Sequence, residues 1–240
     1  MGNNQWRVSC LQRLFDLMAR RRCCVCRQPL ASGEQRICAS CSLDLPRTDH
    51  LAHPYDNPMA QVYWGRVRSV GRAAAFVYHH SHAESARPIY QLKYFSHPEL
   101  GVFLGELFGR EMMASGFTED VDLIIPVPLA PRRLRERGYN QSLMLAQGLS
   151  AVTGIAVDDT TLARTRFEES QTHRDRWRRN NNVEDVFEDR APDRLVGKHL
   201  LLVDDVVTTG ATSCACARAL EQGHPASISF ASLAFVDQGR

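Results

Sequence analysis

The sequence predicts an α/β fold, in which helices flank a central and mostly parallel sheet, with a small cysteine-rich module ahead of it. An unbroken apolar run at residues 200–203 is typical of a strand that is buried on both faces. Leu123–Ile125 has the same character, and Ser227–Phe235 alternates before ending in apolar residues. Helical patterns lie between these strands, as an α/β architecture requires.

The length of 240 residues suits one medium domain with a small appendage. Apolar residues make up 44% of the chain and charged residues 23%, as in ordinary globular proteins. The formal net charge of +2 is too small to indicate nucleic-acid or membrane binding by itself. No apolar run approaches the roughly 18 residues of a transmembrane helix, and Arg20–Arg22 follow the first apolar stretch, whereas the charges of a secretory signal precede it. We therefore expect a cytoplasmic protein with no membrane insertion.

The cysteines predict a structural zinc site. Five of the eight lie within residues 23–41, and a reducing cytosol favours metal binding over disulfides in such a cluster. Four of them form two Cys-x-x-Cys pairs, separated by eleven residues: Cys23, Cys26, Cys38 and Cys41. Such pairs place four thiolates tetrahedrally around Zn²⁺, and a closed four-cysteine site leaves no open position for catalysis. Cys24 is a poorer candidate than Cys23 because it lies too close to Cys26, and buried free cysteines are the alternative to a metal site.

We divide the chain into three parts. Residues 1–46 hold a short amphipathic helix and the zinc ribbon, residues 47–65 form a linker rich in Pro, His and Asp, and residues 66–240 form the α/β domain. The elements predicted for the last part are, in order, a strand at 66–78, helices at 83–95 and 98–115, a strand at 123–125, a helix at 142–153, a strand at 200–203, a helix at 211–222 and a strand at 227–235. The cysteines to which the sequence assigns no role beyond packing are Cys10, Cys24, Cys214 and Cys216.

The strongest functional motif is Leu200–Thr212. Asp204 and Asp205 follow the buried strand, and a small, hydroxyl-rich turn with Gly210 then leads into a helix. Carboxylates accept hydrogen bonds from sugar hydroxyls, and a turn at a helix N-terminus brings backbone N–H groups to a phosphate. Since ligands of open α/β sheets bind at the carboxyl ends of strands, the motif predicts a sugar-phosphate site. The alternative is a buried strand whose acidic pair caps the helix.

A cluster of arginines, Pro131–Gln141, lies between a predicted strand and a predicted helix. The strand stops at Pro126-Val127-Pro128 because prolines cannot continue a ladder. Four arginines follow, and the arginine fork binds phosphate bidentately. The run therefore predicts contacts with a diphosphate, and a solvated basic surface is the alternative.

Residues 160–187 are polar and have no clean periodicity. We expect them to include a mobile loop that covers the site. The arginines of this loop would reach a phosphate, or they would bind single-stranded nucleic acid with Trp177 stacked on a base.

Leu200–Thr212 resembles the PRPP-binding motif of type I phosphoribosyltransferases, where PRPP is 5-phosphoribosyl 1-diphosphate. From Cys23 to about Phe235 the chain is similar to the ComF family, in which a four-cysteine zinc module precedes a phosphoribosyltransferase domain. The residues that carry this resemblance are the four paired cysteines, Gln91–Tyr94, Pro126–Pro128 with Arg132 and Arg133, Arg137–Gln141, Arg164 with Gln171, Thr172, Arg176, Asn182 and Phe187, and the acidic motif. The segment Arg164–Asn182 departs from the family in its many arginines and its triple Asn.

The resemblance implies a type I phosphoribosyltransferase fold and a role for each matching residue. The catalytic residues would be Asp204 and Asp205, with Mg²⁺ accompanying PRPP and Zn²⁺ in the ribbon. The implied PRPP-binding residues are Lys93, Arg132, Arg133, Val206, Val207, Thr208, Thr209, Gly210, Ala211 and Thr212. The residues implied to form a lid, or to contact phosphate or nucleic acid, are Arg137, Tyr139, Asn140, Gln141, Arg164, Gln171, Arg176 and Asn182.

Three functions are compatible with these residues. The first is binding of PRPP or a ribose 5-phosphate, with phosphoribosyl transfer to an unidentified acceptor, in a competence or DNA-utilisation protein, since family members are linked to DNA uptake. The second is a non-catalytic module that binds single-stranded DNA or a helicase-like competence protein. The third is a regulator that senses PRPP or a nucleotide without turnover.

Overall fold

We describe residues 21–80, 83–94, 97–165 and 186–237 of a computed structural model of the chain. The predicted N-terminal helix with Cys10 lies outside the described residues. The same is true of most of the loop expected at 160–187, including three of its predicted site residues: Gln171, Arg176 and Asn182. The described residues form two sheets and the helices that surround them.

The larger sheet has the parallel topology that the sequence predicts. The strands are β1 (Val70–Tyr78), β2 (Leu123–Pro126), β3 (Leu162–Thr165), β4 (Val186–Asp189), β5 (His199–Val207) and β6 (Ser227–Phe235). β1, β6, β5 and β2 form one sheet in that order with every pair parallel, and β3 and β4 form a separate antiparallel pair. The helices are α1 (Ala39–Leu43), α2 (Pro58–Gln61), α3 (Arg87–Tyr94), α4 (Pro98–Ala114), α5 (Pro131–Arg137), α6 (Gln141–Thr153) and α7 (Ala211–Leu220).

The apolar run of β5 is buried on both faces, as its sequence predicts. Residues 200–203 are at most 1% exposed. Leu201 and Val203 belong to a core that they share with α4 and α6, whereas Leu200 and Leu202 belong to a second core with α2 and α7. Successive side chains of a strand point to opposite faces, so the four apolar residues serve both cores. The predicted class, a parallel sheet flanked by helices, is confirmed.

Helices α4 and α6 pack almost backbone to backbone through a glycine stripe. Glycines recur every four residues on the face of α4 that meets α6: Gly101, Gly105 and Gly109. A Cβ at Gly105 would lie 2.3 Å from the carbonyl oxygen of Leu145, and a Cβ at Gly148 would lie 2.1 Å from that of Val102. The contact sets the position of α6, whose first residues reach the end of the sheet.

Residues 47–65, predicted as a linker, pack against the sheet. The Asn57 side chain caps α2 and donates a hydrogen bond to the carbonyl oxygen of Ala73 at 2.8 Å. Tyr63 is fully buried and stacks on Phe230, with 3.6 Å between the ring centroids. The three-part division of the chain stays a prediction, and these contacts tie its middle part to one face of the sheet.

Two elements extend what the sequence led us to expect. We expected β5 to end at Val203, but the strand continues through the acidic pair to Val207. It does so because β6 pairs with it as far as Phe235. The arginine run, to which we assigned no element, forms α5, since Pro131 suits the first helical position and Gly138, with φ of 82°, suits the left-handed end. No helix within the described ranges has both the length and the apolar character to span a bilayer.

Candidate functional site

The candidate site lies where β2 stops and β5 continues. β2 pairs with β5 as far as Pro126 opposite Val203, and the N–H of Val127 then bonds to the Val203 carbonyl at 2.8 Å. Beyond Val203, β6 is the strand that pairs with β5 among the described residues, and there Asp204 lies opposite Ser232. Pro126, the last residue of β2, and Pro128 just beyond it have no N–H with which to extend the ladder, so a crevice opens at the carboxyl end of a parallel strand. Ligands of open α/β sheets bind in such crevices.

The acidic pair occupies this crevice, and hydrogen bonds within the protein hold the Oδ1 atom of each carboxylate. Asp204 Oδ1 accepts hydrogen bonds from the backbone N–H of Asp205 at 2.8 Å and from the Ser142 hydroxyl at 3.3 Å. Asp205 Oδ1 accepts from the N–H of Val206 at 2.8 Å, and Asp205 Oδ2 lies 3.3 Å from Nζ of Lys93. Both carboxylates are thereby oriented, and Asp205 is paired with a cation.

The ionisation of Asp204 is shifted by its surroundings. Burial, and after it the negative charge of Asp205, raise the pKa of Asp204 to about 7, against the opposing effects of the Asp205 N–H and the Lys93 charge. At neutral pH Asp204 therefore exchanges between a carboxylate, which accepts hydrogen bonds, and a carboxyl, which also donates one.

Lys93 reaches the acidic pair from the last turn of α3. The Leu92 carbonyl accepts hydrogen bonds from the Tyr139 hydroxyl and from the side-chain amide of Gln141, the latter at 3.4 Å. Gln141 is 1% exposed, so this contact is internal. The start of α6 thus holds the end of α3, and Lys93 has a defined position beside Asp205.

A pocket of about 490 Å³ adjoins this lysine. Its lining residues are Lys93, Tyr94, Arg133, Glu136 and Arg137. Three of the five are cations, which favours an anionic ligand. Arg132 is not among them: it pairs with Glu136 at 2.8 Å, and its side chain is 84% exposed. A ligand contact of Arg132 stays a prediction.

The turn Thr208–Thr212 leads from the end of β5 into the first two residues of α7. Gly210 has φ of 67°, and a Cβ there would lie 2.2 Å from Cγ1 of Val62, so both conformation and space require glycine. Arg66 donates a hydrogen bond to the Thr209 carbonyl at 2.7 Å. The two threonines before Gly210 are exposed, and the first N–H groups of a helix have no intrahelical acceptor. The turn therefore offers hydrogen-bond donors to an anion.

The Gly138–Gln141 motif joins three elements around the crevice. Asn140 Oδ1 accepts from the N–H of Ser142 and caps α6, while Asn140 Nδ2 donates to the Val127 carbonyl at 3.0 Å. Arg137 donates to Gln141 Oε1 at 2.9 Å. Direct ligand contacts of the motif stay a prediction.

Arg164, which the resemblance also assigns to the lid, lies in the separate β3–β4 sheet. Its guanidinium carbon is 5.6 Å from the centre of the Phe187 ring. The strand pairs antiparallel with β4, and Arg164 lies opposite Phe187 in that register. Gln171, Arg176 and Asn182 lie outside the described residues, so the role of Arg164 at the site stays a prediction.

The four paired cysteines come together in a cluster that fits zinc. Their sulfur atoms all lie within 4.8 Å of one another, and those of Cys26 and Cys38 are 3.8 Å apart. A tetrahedron with Zn–S bonds of about 2.3 Å has sulfur atoms about 3.8 Å apart. Cys23 belongs to the cluster, whereas Cys24 is 7% exposed and packs in the core. This decides between the two candidate ligands in favour of Cys23.

The cysteine module is attached to the helix that presents Lys93. Gln91 Nε2 donates to the Cys24 carbonyl at 2.9 Å, and the Arg87 guanidinium donates to the Val25 carbonyl. Helix α3 therefore contacts the cysteine module and the acidic pair at the same time.

Sequence reasoning missed Ser142, and it named Tyr94 within the matching run Gln91–Tyr94 without giving it a role at the site. The Ser142 hydroxyl reaches a carboxylate 62 positions away, and no local pattern marks such a contact. Its place directly after Asn140 and Gln141, at a predicted helix start, is the one signal available. Tyr94 lies beside Lys93 in the sequence, and its place in the pocket depends on α5.

Comparison with known proteins identifies the family. A family model described as the phosphoribosyl transferase domain matches residues 140–240, which include α6, β5 and the acidic motif. The DNA utilization protein YhgH of Salmonella typhimurium is 30% identical over 213 residues, which cover 86% of this chain and 93% of that protein. The chain belongs to the ComF/YhgH family.

Two further similarities concern single parts of this ComF/YhgH protein. Competence protein ComFC of Bacillus subtilis is 32% identical over 108 residues, which cover 45% of this chain and 42% of ComFC. A solved glutamine PRPP amidotransferase from B. subtilis, complexed with ADP and GMP, aligns with a TM-score of 0.42 and 18% identity. That alignment covers 60% of this chain and 30% of the amidotransferase.

Proposed function

We propose that this ComF/YhgH protein binds PRPP, or a related ribose 5-phosphate, together with Mg²⁺ in the crevice at the end of β5, and transfers the phosphoribosyl group to an acceptor. The observation that carries the proposal is the position of Asp205. Its carboxylate lies at the open end of β5, 3.3 Å from Nζ of Lys93 and a few residues before the Thr-Thr-Gly turn. Acceptors for hydroxyls, a cation for phosphate and a helix N-terminus thus meet in one crevice.

The two ends of the motif suit the two ends of a ribose 5-phosphate. The turn Thr208–Thr212 supplies N–H groups and threonine hydroxyls to the 5′-phosphate. Asp204 and Asp205 accept hydrogen bonds from the 2′- and 3′-hydroxyls. Backbone N–H groups already hold the Oδ1 atom of each carboxylate, and Lys93 pairs with Asp205 Oδ2, so the carboxylates meet the ligand in a fixed orientation.

The cationic pocket suits the leaving diphosphate. Negative charge grows on that group as the C1–O bond breaks, and cations placed beforehand stabilise the growing charge. Among the described residues, Lys93, Arg133 and Arg137 line the pocket and supply such charge. Mg²⁺, when bound with PRPP, would neutralise diphosphate oxygens, and the carboxylates of the acidic pair are oxygen ligands of the kind that Mg²⁺ prefers.

Calorimetric titration of PRPP with Mg²⁺ tests the proposal. The wild type is expected to bind, and Asp205→Asn is expected to weaken binding at least about tenfold, since a charged hydrogen-bond partner is lost. Asp193→Asn, an exposed aspartate in the turn Pro192–Arg194, is the matched control and should bind like the wild type. Absence of binding by the wild type would refute the proposal, and unchanged affinity of Asp205→Asn would refute the site.

Release of diphosphate separates phosphoribosyl transfer from ligand sensing. Incubation of the protein with PRPP, Mg²⁺ and each of a set of nucleobases, followed by a diphosphate assay, is the measurement. Release that depends on one of the bases supports transfer and names the acceptor. Binding without release under any of these conditions supports a sensor.

A second candidate function is binding of single-stranded DNA, which the names of the relatives and a second pocket favour. This pocket, of about 360 Å³, lies beside the cysteine cluster, and its lining includes Arg22, Arg27 and Arg36. Phosphate contacts by such cations weaken steeply with salt. Binding of an oligonucleotide that falls with salt, and that Arg22→Glu with Arg27→Glu abolishes, would support this function. No binding at low salt would exclude it.

A further inference from the structure

We propose that the rings of Tyr90 and Tyr94 form a stacking surface for the base of a mononucleotide whose phosphate lies in the neighbouring cationic pocket. The inference rests on the proposed function: the nucleotide phosphate would take the place that the proposed function gives to the leaving diphosphate of PRPP, so the two ligands would compete. The two tyrosines are one helical turn apart on α3, with ring centroids 6.4 Å apart and an angle of 23° between the rings. They are 41% and 67% exposed, respectively.

The tyrosine pair is part of a row of four planar groups. The His79 ring lies 6.2 Å from the Tyr90 ring, and the guanidinium carbon of Arg137 lies 5.7 Å from the centre of the Tyr94 ring. Aromatic rings and guanidinium planes are the groups on which proteins stack nucleic-acid bases. His79 is partly buried and its ring is tilted by 56° to that of Tyr90, so the two exposed tyrosines are the part of the row that presents to solvent a surface on which a base can lie.

The position of Tyr94 connects this surface to a phosphate site. Tyr94 lines the same pocket as Lys93, Arg133 and Arg137. A ligand that fills both must carry an anionic group and a planar group within one short molecule, which describes a nucleotide. Two aromatic residues four apart also favour helix formation, but that role requires neither exposed rings nor cations beside them.

Fluorescence titration with 2-aminopurine riboside 5′-monophosphate tests the inference, because stacking on an aromatic ring quenches this base. The wild type is expected to bind the probe and quench it. Tyr94→Leu is expected to weaken probe binding by about 5- to 100-fold, since stacking on one ring contributes that much. Tyr94→Phe keeps the ring and should bind and quench like the wild type.

Two controls separate stacking from loss of the site. Tyr55 is a 63% exposed tyrosine that does not line the pocket, so Tyr55→Leu should leave probe binding unchanged. Ribose 5-phosphate lacks a base, and the proposed function assigns its phosphate to the turn Thr208–Thr212 and not to the pocket that Tyr94 lines. Its affinity should therefore be the same for the wild type and Tyr94→Leu within about twofold.

The outcomes that overturn the inference differ from those that overturn the proposed function. Equal affinity of the wild type and Tyr94→Leu for the probe would refute the stacking surface, even if PRPP binds. Failure of the wild type to bind PRPP and ribose 5-phosphate would refute the proposed function. Quenching of 2-aminopurine within a single-stranded oligonucleotide, without quenching of the mononucleotide, would refute the assignment to a mononucleotide.

Discussion

Asp204 is a half-buried carboxyl beside a second carboxylate, in a crevice that suits a ligand. Folding raises its pKa to about 7, against about 3.9 in an unfolded chain. A group whose pKa is raised by folding favours the folded state while it is protonated, and that contribution is lost as the pH rises from the unfolded to the folded pKa. Asp204 should therefore destabilise the ligand-free protein above neutral pH.

The first prediction is that Asp204→Asn stabilises the ligand-free protein while it weakens PRPP binding. The amide carries no charge, so at pH 8 the free energy of unfolding should rise by about 1–3 kcal/mol. Near pH 4, where Asp204 is protonated in the folded wild type, the difference should largely disappear. Urea unfolding at both pH values is the measurement, and Asp193→Asn is the control. A variant less stable than the wild type at pH 8 would contradict the account.

The pKa of His50 is lowered by folding, whereas that of Asp204 is raised. It is fully buried, its Nδ1 accepts from the N–H of Ala75 at 3.2 Å, and its Nε2 is 3.4 Å from the Tyr78 hydroxyl. Burial lowers its pKa to about 4, although Asp49 and Asp237 oppose the shift. The folded state thus needs the neutral ring, whereas an unfolded histidine binds a proton near pH 6.5. The stability that depends on His50 is present above pH 6.5 and is lost as the pH falls towards 4.

The second prediction is that His50→Gln reduces the loss of folding stability that accompanies a fall in pH. Between pH 7.5 and pH 5 the wild type should lose about 2 kcal/mol more of its unfolding free energy than the variant does. His53→Gln, an exposed histidine three residues away, should follow the wild type. Urea unfolding at pH 7.5, 6 and 5 measures how the free energy of unfolding of each of the three proteins depends on pH. The same pH dependence for the wild type and His50→Gln would show that His50 does not cause the loss of stability.

Among the elements, the contact between α4 and α6 depends on glycine. The third prediction is that Gly105→Ala destabilises the protein by more than about 2 kcal/mol. Helix propensity alone would predict a gain of about 1 kcal/mol, but the new Cβ would lie 2.3 Å from the Leu145 carbonyl oxygen. Thermal and urea unfolding show whether Gly105→Ala lowers or raises the stability of the protein. Arg110→Ala, an exposed position on the same helix, should change stability by less than about 0.5 kcal/mol. A stabilised Gly105→Ala would mean that the helices can separate at little cost.

The elements could be predicted where the evidence is local. Apolar runs and helical periodicity located the strands of the larger sheet and the helices α4, α6 and α7, because burial imposes those patterns on the residues themselves. The extension of β5 to Val207 could not be predicted, since it depends on a partner strand that comes later in the chain. The glycine stripe escaped notice because its spacing acquires meaning only when a second helix faces it.

For the molecule as a whole, α3 links the cysteine cluster to the acidic pair. The fourth prediction is that zinc removal by chelation lowers PRPP affinity by roughly 3- to 10-fold. Without the metal, the cysteine module would no longer fix the position of α3, and Lys93 at the end of α3 would lose its defined place. The larger sheet should remain folded, as amide exchange along β5 would show. Gln91→Leu, which removes the bond to the Cys24 carbonyl, should reproduce part of the loss with zinc retained. Equal affinity with and without zinc would show that the module does not position Lys93.

The candidate site shows the same division between local and distant evidence. The acidic pair, the turn and the four cysteines were predicted because each forms a compact motif along the chain. The approach of Lys93 to Asp205, and of Ser142 to Asp204, joins segments that only the fold brings together. The role of Tyr94 likewise needs the position of α5. Long-range neighbours of a recognisable motif are therefore the residues that a single sequence does not supply.

The strand order of the larger sheet has a consequence for the making of the protein. In the described residues β1 finds its sheet partner in β6, and roughly 150 residues of synthesis lie between them, or about 10–30 s at ribosomal rates. During that interval the apolar edge of β1 is open, and open edges recruit other chains. A nascent chain should therefore need chaperone protection until β6 emerges. The crevice itself forms only then, because β5 takes its pairing beyond Val203 from β6.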